Sequence, residues 1–262
     1  MILYAMFSRH WKNSVKVGVF DSGVGGLTVA RSLQQSGCFS ELLYYGDTAR
    51  VPYGNKDKNT VTRYALEAVE FFNSTDVDCL VVACNTVSVT ALAAMQQQSN
   101  KPVYGVLEPG VLALQQLEGI GKDARILIIA TRSTINSGAY QQRIQALGFN
   151  CVDAIATPLF VPIVEEALFD GPILRETMHH YFSALAKPDV VLLGCTHFPL
   201  IASQIANYFD GAKTIHSGEA MVAWLKQELG LTNHFCQTPI QLLASENVEA
   251  LQRTAKHWGL KN

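Results

Sequence analysis

Two cysteines occupy matching positions in this sequence, 111 residues apart. Each follows an apolar run that ends in a small residue, and each precedes a polar pair. A cysteine between a buried strand and a helix meets free backbone N–H groups and the positive end of the helix dipole, which favour the thiolate. The segments are Val81-Val82-Ala83-Cys84-Asn85-Thr86 and Val191-Leu192-Leu193-Gly194-Cys195-Thr196-His197.

The matched pair predicts acid–base chemistry by two sulfur atoms. If the two segments belong to related halves of the chain, Cys84 and Cys195 face each other across a cleft. Two inert core cysteines are the alternative, because free cysteine is commonly buried. His197, two positions after Cys195, is either a catalytic assistant or a loop histidine. Zinc-ligand spacings such as C-x-x-C or H-E-x-x-H are absent, so the sequence predicts no metal site.

Two polar loops follow predicted strands in the first part of the chain. The loop after the first strand begins Asp21-Ser22-Gly23, and its glycines let the backbone approach a ligand. It matches neither a dinucleotide fingerprint nor a Walker loop, because the third glycine and the lysine are missing. Tyr53-Gly54 in the second loop could present backbone amides to an anion or could be turn residues only.

Two acidic positions have ordinary structural interpretations. Glu108-Pro109-Gly110, after a further strand, is a hinge or a turn. Glu165 and its neighbour Glu166 indicate a solvated helix start. Neither pattern alone predicts chemistry.

Composition excludes several classes of protein. The 262 residues carry a net charge of −2, with 48% hydrophobic and 16% charged residues, which disfavours disorder and leaves no basic surface for nucleic acid. No apolar stretch is long enough to cross a bilayer or to form a secretory signal. The six cysteines form no dense framework, so we expect reduced thiols and a cytoplasmic protein without membrane contact.

The elements that must position these residues alternate along the chain. Short β-branched runs predict buried strands, and longer Ala-, Gln- and Leu-rich segments predict helices. This alternation favours parallel α/β layers with ligand-binding loops at one edge of the sheet. The predicted strands are 15–20, 41–45, 79–83, 103–107, 125–130 and 189–193, and the predicted helices are 27–35, 59–72, 89–98, 137–147, 174–185 and 201–208.

Five segments, in order and at matching spacing over about residues 15–220, resemble the cofactor-independent aspartate/glutamate racemase family. Any one of them is a weak signal, but the ordered set is specific. They are Val19-Phe20-Asp21-Ser22-Gly23-Val24-Gly25-Gly26-Leu27, Tyr45-Gly46-Asp47-Thr48-Ala49-Arg50-Val51-Pro52-Tyr53-Gly54, Ala83-Cys84-Asn85-Thr86, Gly105-Val106-Leu107-Glu108-Pro109-Gly110 and Leu193-Gly194-Cys195-Thr196-His197 with Pro199-Leu200.

The resemblance implies two pseudo-symmetric α/β domains with parallel sheets and an active site in the cleft between them. The first would comprise residues 1–109 and 217–262, since the end of the chain rejoins it, and the second residues 110–216. Cys84 and Cys195 would be the catalytic acid/bases. The remaining implied catalytic residues are Asp21 on the Cys84 side and His197 and Glu165 on the Cys195 side. The implied substrate-binding residues are Asp21, Ser22, Tyr53, Gly54, Asn85, Thr86, Thr196 and His197.

The implied reaction is interconversion of L- and D-glutamate, which supplies D-glutamate for bacterial peptidoglycan. No cofactor is expected, since no lysine site for pyridoxal phosphate is evident and the family works without one. Aspartate or hydantoin racemisation is the alternative within the family. A ligand- or redox-sensing binding module is the alternative outside enzymes.

The resemblance also bears on partners and on local departures. It allows a homodimer, and it allows activation by a cell-wall precursor, because some relatives with longer N-termini respond to one. Residues 1–14 precede the usual family start. His216 stands where the family often has Asp, and the segment around Arg132 lacks a glycine often found there.

Overall fold

The computed structural model describes residues 14–261, so the N-terminal extension lies outside the described residues except for Ser14. The chain forms two sheets in which every paired strand is parallel. The predicted α/β class with two parallel sheets is therefore confirmed. The first sheet contains β1 (Lys16–Asp21), β2 (Glu41–Gly46), β3 (Cys79–Val82), β4 (Val103–Gly105) and β9 (Ile240–Ala244), and the second contains β5 (Arg125–Ala130), β6 (Cys151–Ala156), β7 (Val190–Gly194) and β8 (Lys213–His216).

The strands that precede Cys84 and Cys195, β3 and β7, are both interior strands of their sheets. The first sheet has the order β4-β3-β1-β2-β9 and the second β6-β5-β7-β8. β3 and β7 are buried along their whole length, as their continuous apolar runs predict for parallel strands covered on both faces. In the first sheet Val17 is the register partner of both Leu42 and Cys79, so β1 joins β2 to β3.

Helices cover the sheets and fill the space between them. α11 follows a strand of the second sheet yet packs against both α1 and α5, so it connects the two halves. The helices are α1 (Leu27–Gln35), α2 (Lys58–Asn73), α3 (Asn85–Thr90), α4 (Leu92–Gln98), α5 (Leu107–Gln116), α6 (Arg132–Asn136), α7 (Ala139–Ala146), α8 (Phe160–Glu165), α9 (Pro172–Phe182), α10 (Ala202–Tyr208), α11 (Ser217–Leu229) and α12 (Val248–His257).

The end of the chain returns to the first sheet. β9 pairs with β2, with Leu42 opposite Ile240 and Gly46 opposite Ala244. A hydrogen bond from the Arg31 side chain to the carbonyl of Trp258, 2.8 Å long, ties the last helix region to α1. The domain limits at 109/110 and 216/217 stay predictions.

Three local predictions were wrong. Glu108-Pro109-Gly110 is not a hinge or turn but lies inside α5, where proline is tolerated in the first turn and an acidic residue favours the helix N-terminus. Glu165 ends α8 rather than starting a helix. The single helix predicted at 89–98 is split at Ala91, after a β-branched segment of low helix propensity.

No helix within residues 14–261 is both long and apolar enough to span a membrane.

Candidate active site

Loops after three strands of the first sheet supply one wall of a cavity. Ser22 directly follows β1, and the hydroxyl of Tyr44 donates a 2.7 Å hydrogen bond to the carbonyl of Gly23, which holds this loop against β2. Cys84 follows β3 and is the N-cap residue of α3. Its sulfur lies 3.4 Å from the hydroxyl oxygen of Ser22, so the loops after β1 and β3 meet at the sulfur.

The second sheet supplies the opposite wall. Cys195, Thr196 and His197 follow the end of β7. Glu165, the last residue of α8, reaches the same place from the chain after β6. A hydrogen bond of 2.7 Å from the Thr28 hydroxyl to the carbonyl of Thr196 fixes this loop to α1, so the two walls are joined.

Between the walls is a cavity of about 410 Å³. Both predicted sulfur atoms belong to its lining, although Cys84 is only 5% and Cys195 only 6% exposed. All predicted site residues except Asp21 line this cavity. The lining residues are Ser22, Gly23, Val51, Pro52, Tyr53, Gly54, Asn55, Cys84, Asn85, Thr86, Thr131, Pro158, Leu159, Val161, Pro162, Glu165, Cys195, Thr196 and His197.

Cys195, His197 and Glu165 form a chain of polar contacts. His197 Nδ1 lies 3.7 Å from the sulfur of Cys195, and Nε2 lies 2.9 Å from Oε1 of Glu165. Burial opposes the charged imidazole, but the hydrogen bonds to Cys195 and Glu165 and their negative charges outweigh burial and raise the pKa of His197 to about 10. His197 is therefore an imidazolium at neutral pH, and it places a positive charge beside the sulfur of Cys195.

The Cys84 side has the opposite electrostatic character. Burial, with a smaller contribution from the charge of Asp21, raises the pKa of the Cys84 thiol to about 12. Contacts with Ser22 and with the N–H of Val87 oppose this shift without overcoming it. At neutral pH Cys84 is a thiol, ready to donate a proton rather than accept one.

Burial outweighs the expected helix-dipole stabilisation of a thiolate at Cys84, and at Cys195 a 3₁₀ turn separates the cysteine from α10. α3, which Cys84 caps, has six residues, and its N-terminus does not compensate for the burial of the sulfur. Cys195 is followed by a short 3₁₀ turn, Phe198–Ile201, that begins three residues later.

Asp21 lies behind the cavity lining and not in it. Its Oδ2 accepts a 2.9 Å hydrogen bond from the N–H of Gly23, while the buried Oδ1 has no partner among the described residues. Burial raises the pKa of Asp21, although the charge of His197 and the N–H groups of Gly23 and Gly26 oppose the rise. Its predicted contact with substrate stays a prediction.

Known proteins of similar sequence and fold identify the family of this chain. Residues 28–225 match the family model described as Asp/Glu/Hydantoin racemase. The chain belongs to that family. It is similar to a glutamate racemase of a Nitratiruptor species, at 54% identity over 93% of this chain and 96% of the relative. A glutamate racemase of Campylobacter jejuni is 47% identical over 93% of this chain and 98% of the relative.

A solved structure shows the same architecture. Glutamate racemase from Campylobacter jejuni subsp. jejuni superposes with a TM-score of 0.91, at 46% identity, over 95% of this chain and 100% of that chain. The predicted family and the two-domain arrangement of parallel sheets are confirmed. The chain is accordingly an amino-acid racemase, an enzyme of the isomerase class.

The racemase fixes the Tyr53-Gly54 wall through a buried carboxylate. Oδ2 of Asp47 accepts hydrogen bonds from the Tyr53 hydroxyl and, at 2.6 Å, from Nε of Arg50. Across the cavity, the Ser133 hydroxyl donates a 2.8 Å hydrogen bond to the carbonyl of Gly54. A Cβ on Gly54 would lie 2.8 Å from Cβ of Thr131, so this position requires glycine for the two halves to meet.

Within residues 14–261, no lysine or arginine lines the racemase cavity. Hydroxyls, amides and one imidazolium are therefore the side-chain donors that an anionic substrate would meet. Within residues 14–261, no cluster of three or more His, Cys, Asp or Glu side chains is arranged to hold a metal.

Several lining residues escaped the sequence analysis. Pro158, Leu159, Val161 and Pro162 follow β6, a strand that was not predicted. Thr131 caps α6 by accepting a hydrogen bond from the N–H of Thr134, in the segment that lacks the family glycine. Its position directly after a predicted strand was the signal that could have found it.

His216 does not line the cavity. It ends β8, and its Nε2 lies 2.9 Å from Oε1 of the exposed Glu219.

Proposed function

We propose that this racemase interconverts L- and D-glutamate without a cofactor, by proton transfer between two cysteines. The observation that carries the proposal is that Cys84 and Cys195, from loops of different sheets, line one cavity. Relatives at 47–54% identity over nearly the whole chain bear the name glutamate racemase, which supports glutamate as the substrate. The thiolate and the thiol exchange roles according to the enantiomer bound.

In one direction the Cys195 thiolate removes the α-proton and becomes a thiol. The electron pair of the C–H bond stays on the substrate as a carbanion, delocalised into its carboxylate. The Cys84 thiol then delivers its proton to the opposite face of Cα and becomes a thiolate. The reverse direction runs the same steps from Cys84 to Cys195, so no net proton is gained or lost.

The surroundings of Cys195 and Cys84 fit the roles of proton acceptor and proton donor in the first direction. We propose that the imidazolium of His197 stabilises the thiolate that Cys195 forms during the reaction, and that the high pKa of Cys84 keeps this cysteine protonated as the donor. The bond from His197 to Glu165 keeps the imidazole charged and oriented. We propose catalytic roles for both, with Asp21 supporting Cys84 from behind the lining.

Stabilisation of the carbanion is the costly step, because an α-proton beside an unaided carboxylate is very weakly acidic. Preorganised donors in a water-poor cavity are worth far more than the same donors in water. We propose that the neighbours of the two cysteines, Asn85, Thr86 and Thr196, bind the α-carboxylate. Ser22 and the Tyr53-Gly54 wall would bind the remainder of the substrate.

The test is racemisation by purified protein without added cofactor, followed by chiral chromatography. L-glutamate should yield D-glutamate, and Cys84→Ser and Cys195→Ser should each lower kcat by at least about a thousandfold, because each removes one of two required groups. If both variants keep full activity, the two-cysteine mechanism is wrong. Competition between L-glutamate and L-aspartate separates the proposed substrate from the aspartate alternative.

The same experiment separates the enzyme from a binding module. A sensing module would bind ligand without exchange of the α-proton in D₂O, whereas the racemase exchanges it. A role in supplying D-glutamate to peptidoglycan, a cytoplasmic location, a homodimer and activation by a cell-wall precursor are further parts of the proposal. Removal of residues 1–14, with the precursor response as readout, tests the last of these.

A further inference from the structure

One buried tyrosine contacts the chain neighbours of both cysteines. Tyr140, in α7, is 1% exposed, and its hydroxyl donates a 2.6 Å hydrogen bond to Oδ1 of Asn85, the residue after Cys84. Its ring also lies against Gly194, the residue before Cys195. A Cβ built on Gly194 would be 3.7 Å from Cε2 of Tyr140.

The contact with Asn85 sets the direction of a cavity-lining amide. Because the amide oxygen of Asn85 accepts the hydrogen bond from Tyr140, the amide nitrogen remains available to donate hydrogen bonds to other groups. Nδ2 has Ser217 Oγ at 3.4 Å, a longer and weaker contact than the 2.6 Å bond to Tyr140. Burial raises the pKa of Tyr140, so its hydroxyl remains a donor throughout the neutral range.

The ring of Tyr140 lies beside Gly194, in a closely packed part of the second half. A Cβ added at Gly194 would also lie 3.0 Å from Cβ of Ala130 and 3.2 Å from the Ile129 carbonyl oxygen, so there is no room for a side chain at this point beside the ring. Tyr140 belongs to the core cluster of the second half. Its hydroxyl therefore extends a rigid part of the second half to the loop that carries Cys84.

We propose that Tyr140 is a positioning residue that sets the Cys84 loop relative to Cys195 through its hydrogen bond to Asn85. The inference rests on the proposed two-cysteine racemisation. Tyr140→Phe keeps the ring and removes only the 2.6 Å bond, which leaves the buried amide oxygen of Asn85 with the more distant Ser217 hydroxyl, at 3.5 Å, as its donor. The Cys84 loop is then no longer held in position relative to Cys195, while the Cys195 loop keeps its own contacts.

This predicts a defect confined to one of the two proton transfers. In D₂O, the enantiomer whose α-proton faces Cys195 still loses it, the resulting thiol exchanges with solvent, and a deuteron returns from the same side when delivery from Cys84 is slow. That enantiomer acquires deuterium without inversion. The other enantiomer, once deprotonated slowly by Cys84, is completed quickly by Cys195 and shows no extra exchange.

The experiment measures initial racemisation by chiral chromatography and deuterium in the unreacted enantiomer by mass spectrometry, starting from each enantiomer. For Tyr140→Phe we expect kcat to fall by at most about tenfold. We expect the ratio of deuterium exchange to racemisation to rise at least about fivefold, for one enantiomer only. Because the two enantiomers are equal in free energy, kcat/KM must fall equally in both directions, so the exchange ratio is the diagnostic quantity.

Tyr208→Phe is the matched control, since it removes the hydroxyl of a ring that packs 5.5 Å from Phe182 and 5.2 Å from Phe209 in the same half. It should leave both ratios at the wild-type value. A Tyr140→Phe ratio that is unchanged, or raised equally for both enantiomers, overturns the proposal. If Tyr140→Phe does not fold, Ser217→Ala must show the same one-sided change at smaller size, and its absence is equally decisive. Failure of the wild-type protein to racemise would refute the proposed function instead.

Discussion

Oε1 of Glu165 lies 2.9 Å from Nε2 of His197, and this hydrogen bond joins the end of α8 to the loop after β7. The other ring nitrogen of His197 faces the sulfur of Cys195 at 3.7 Å. The Glu165 side chain is 44% exposed while His197 is buried, so the chain of contacts runs from the cavity mouth inward to the sulfur. The carboxylate of Glu165 is therefore linked to the sulfur of Cys195 through a single imidazole ring.

Glu165→Gln keeps the shape of the side chain and removes its charge. That charge and its hydrogen bond help to raise the pKa of His197, so the alkaline limb of the kcat/KM profile should move to lower pH. We expect a shift of about half a unit or more, since solvent at the partly exposed Glu165 screens its charge and limits the size of the effect. Glu166→Gln, at the adjacent helix cap, is the control and should leave the profile unmoved. An unshifted profile in Glu165→Gln would contradict this role.

The stability of the fold should decline on the alkaline side because of His197. Its folded-state pKa of about 10 exceeds the unfolded value near 6.5, so the contribution is complete below pH 6.5 and is lost as pH rises through 10. Urea unfolding between pH 6 and 9 should show a loss of about 1–2 kcal/mol, the scale of hydrogen bonds to a charged group.

His197→Asn should flatten that pH dependence. The window ends at pH 9 because Cys84, whose folded-state pKa of about 12 lies above its unfolded value, adds its own destabilisation at higher pH. A variant that keeps the full wild-type slope between pH 6 and 9 would assign the slope to another group.

Gly25 sits against the Cys195 loop with no room for a side chain. A Cβ there would lie 2.3 Å from Oγ1 of Thr196 and 2.5 Å from Cε1 of His197. Gly25→Ala should displace this loop and lower kcat/KM by at least about tenfold, since misplacements of about 1 Å can cost a hundredfold. Gly121→Ala, where a Cβ meets nothing within 4 Å, should stay within about twofold of wild type. Equal activities of the two variants would show that the loop tolerates displacement.

Asp21→Asn should separate stability from activity. The buried carboxyl has an unpartnered Oδ1 and a raised pKa, so removal of its charge should increase the free energy of unfolding at pH 8 by about 1 kcal/mol. Turnover should fall at least about a hundredfold, the lower end of the range for loss of a group assisting proton transfer. Asp123→Asn, on the exposed loop before β5, should alter neither quantity. A destabilised Asp21→Asn with full turnover would reverse the assignment.

The sequence predicted the central strands and the loops that follow them, because strands covered on both faces show as continuous apolar runs. β1, β3, β5 and β7 were found in this way, and the cysteine loops were found with them. The strands that escaped prediction, β6, β8 and β9, are all at sheet edges. Cys151 and Asp153 on β6 are exposed, so that segment does not resemble a buried strand.

Electrostatic state was less predictable than position. The helix dipole was expected to act on both sulfur atoms, yet burial and the charge of Asp21 raise the pKa of Cys84. The charged neighbour of Cys195 is His197, whose pKa is raised by its contacts with Cys195 and Glu165. Glu165 lies 32 positions from His197, and its placement depends on the loop after the missed strand β6. Such contacts arise from the packing of loops that follow different strands of the second sheet, and local sequence patterns do not encode them.

The central claim, that two sulfur atoms act from opposite faces of Cα, is tested most directly by the fate of the α-proton. Unlabelled L-glutamate is incubated with wild-type enzyme in D₂O, and both enantiomers are analysed by mass spectrometry before one-tenth conversion. The account predicts that D-glutamate carries deuterium at Cα from the first turnover while the remaining L-glutamate stays protonated. D-glutamate that retains the original proton would mean that a single group serves both faces, and the account would be wrong.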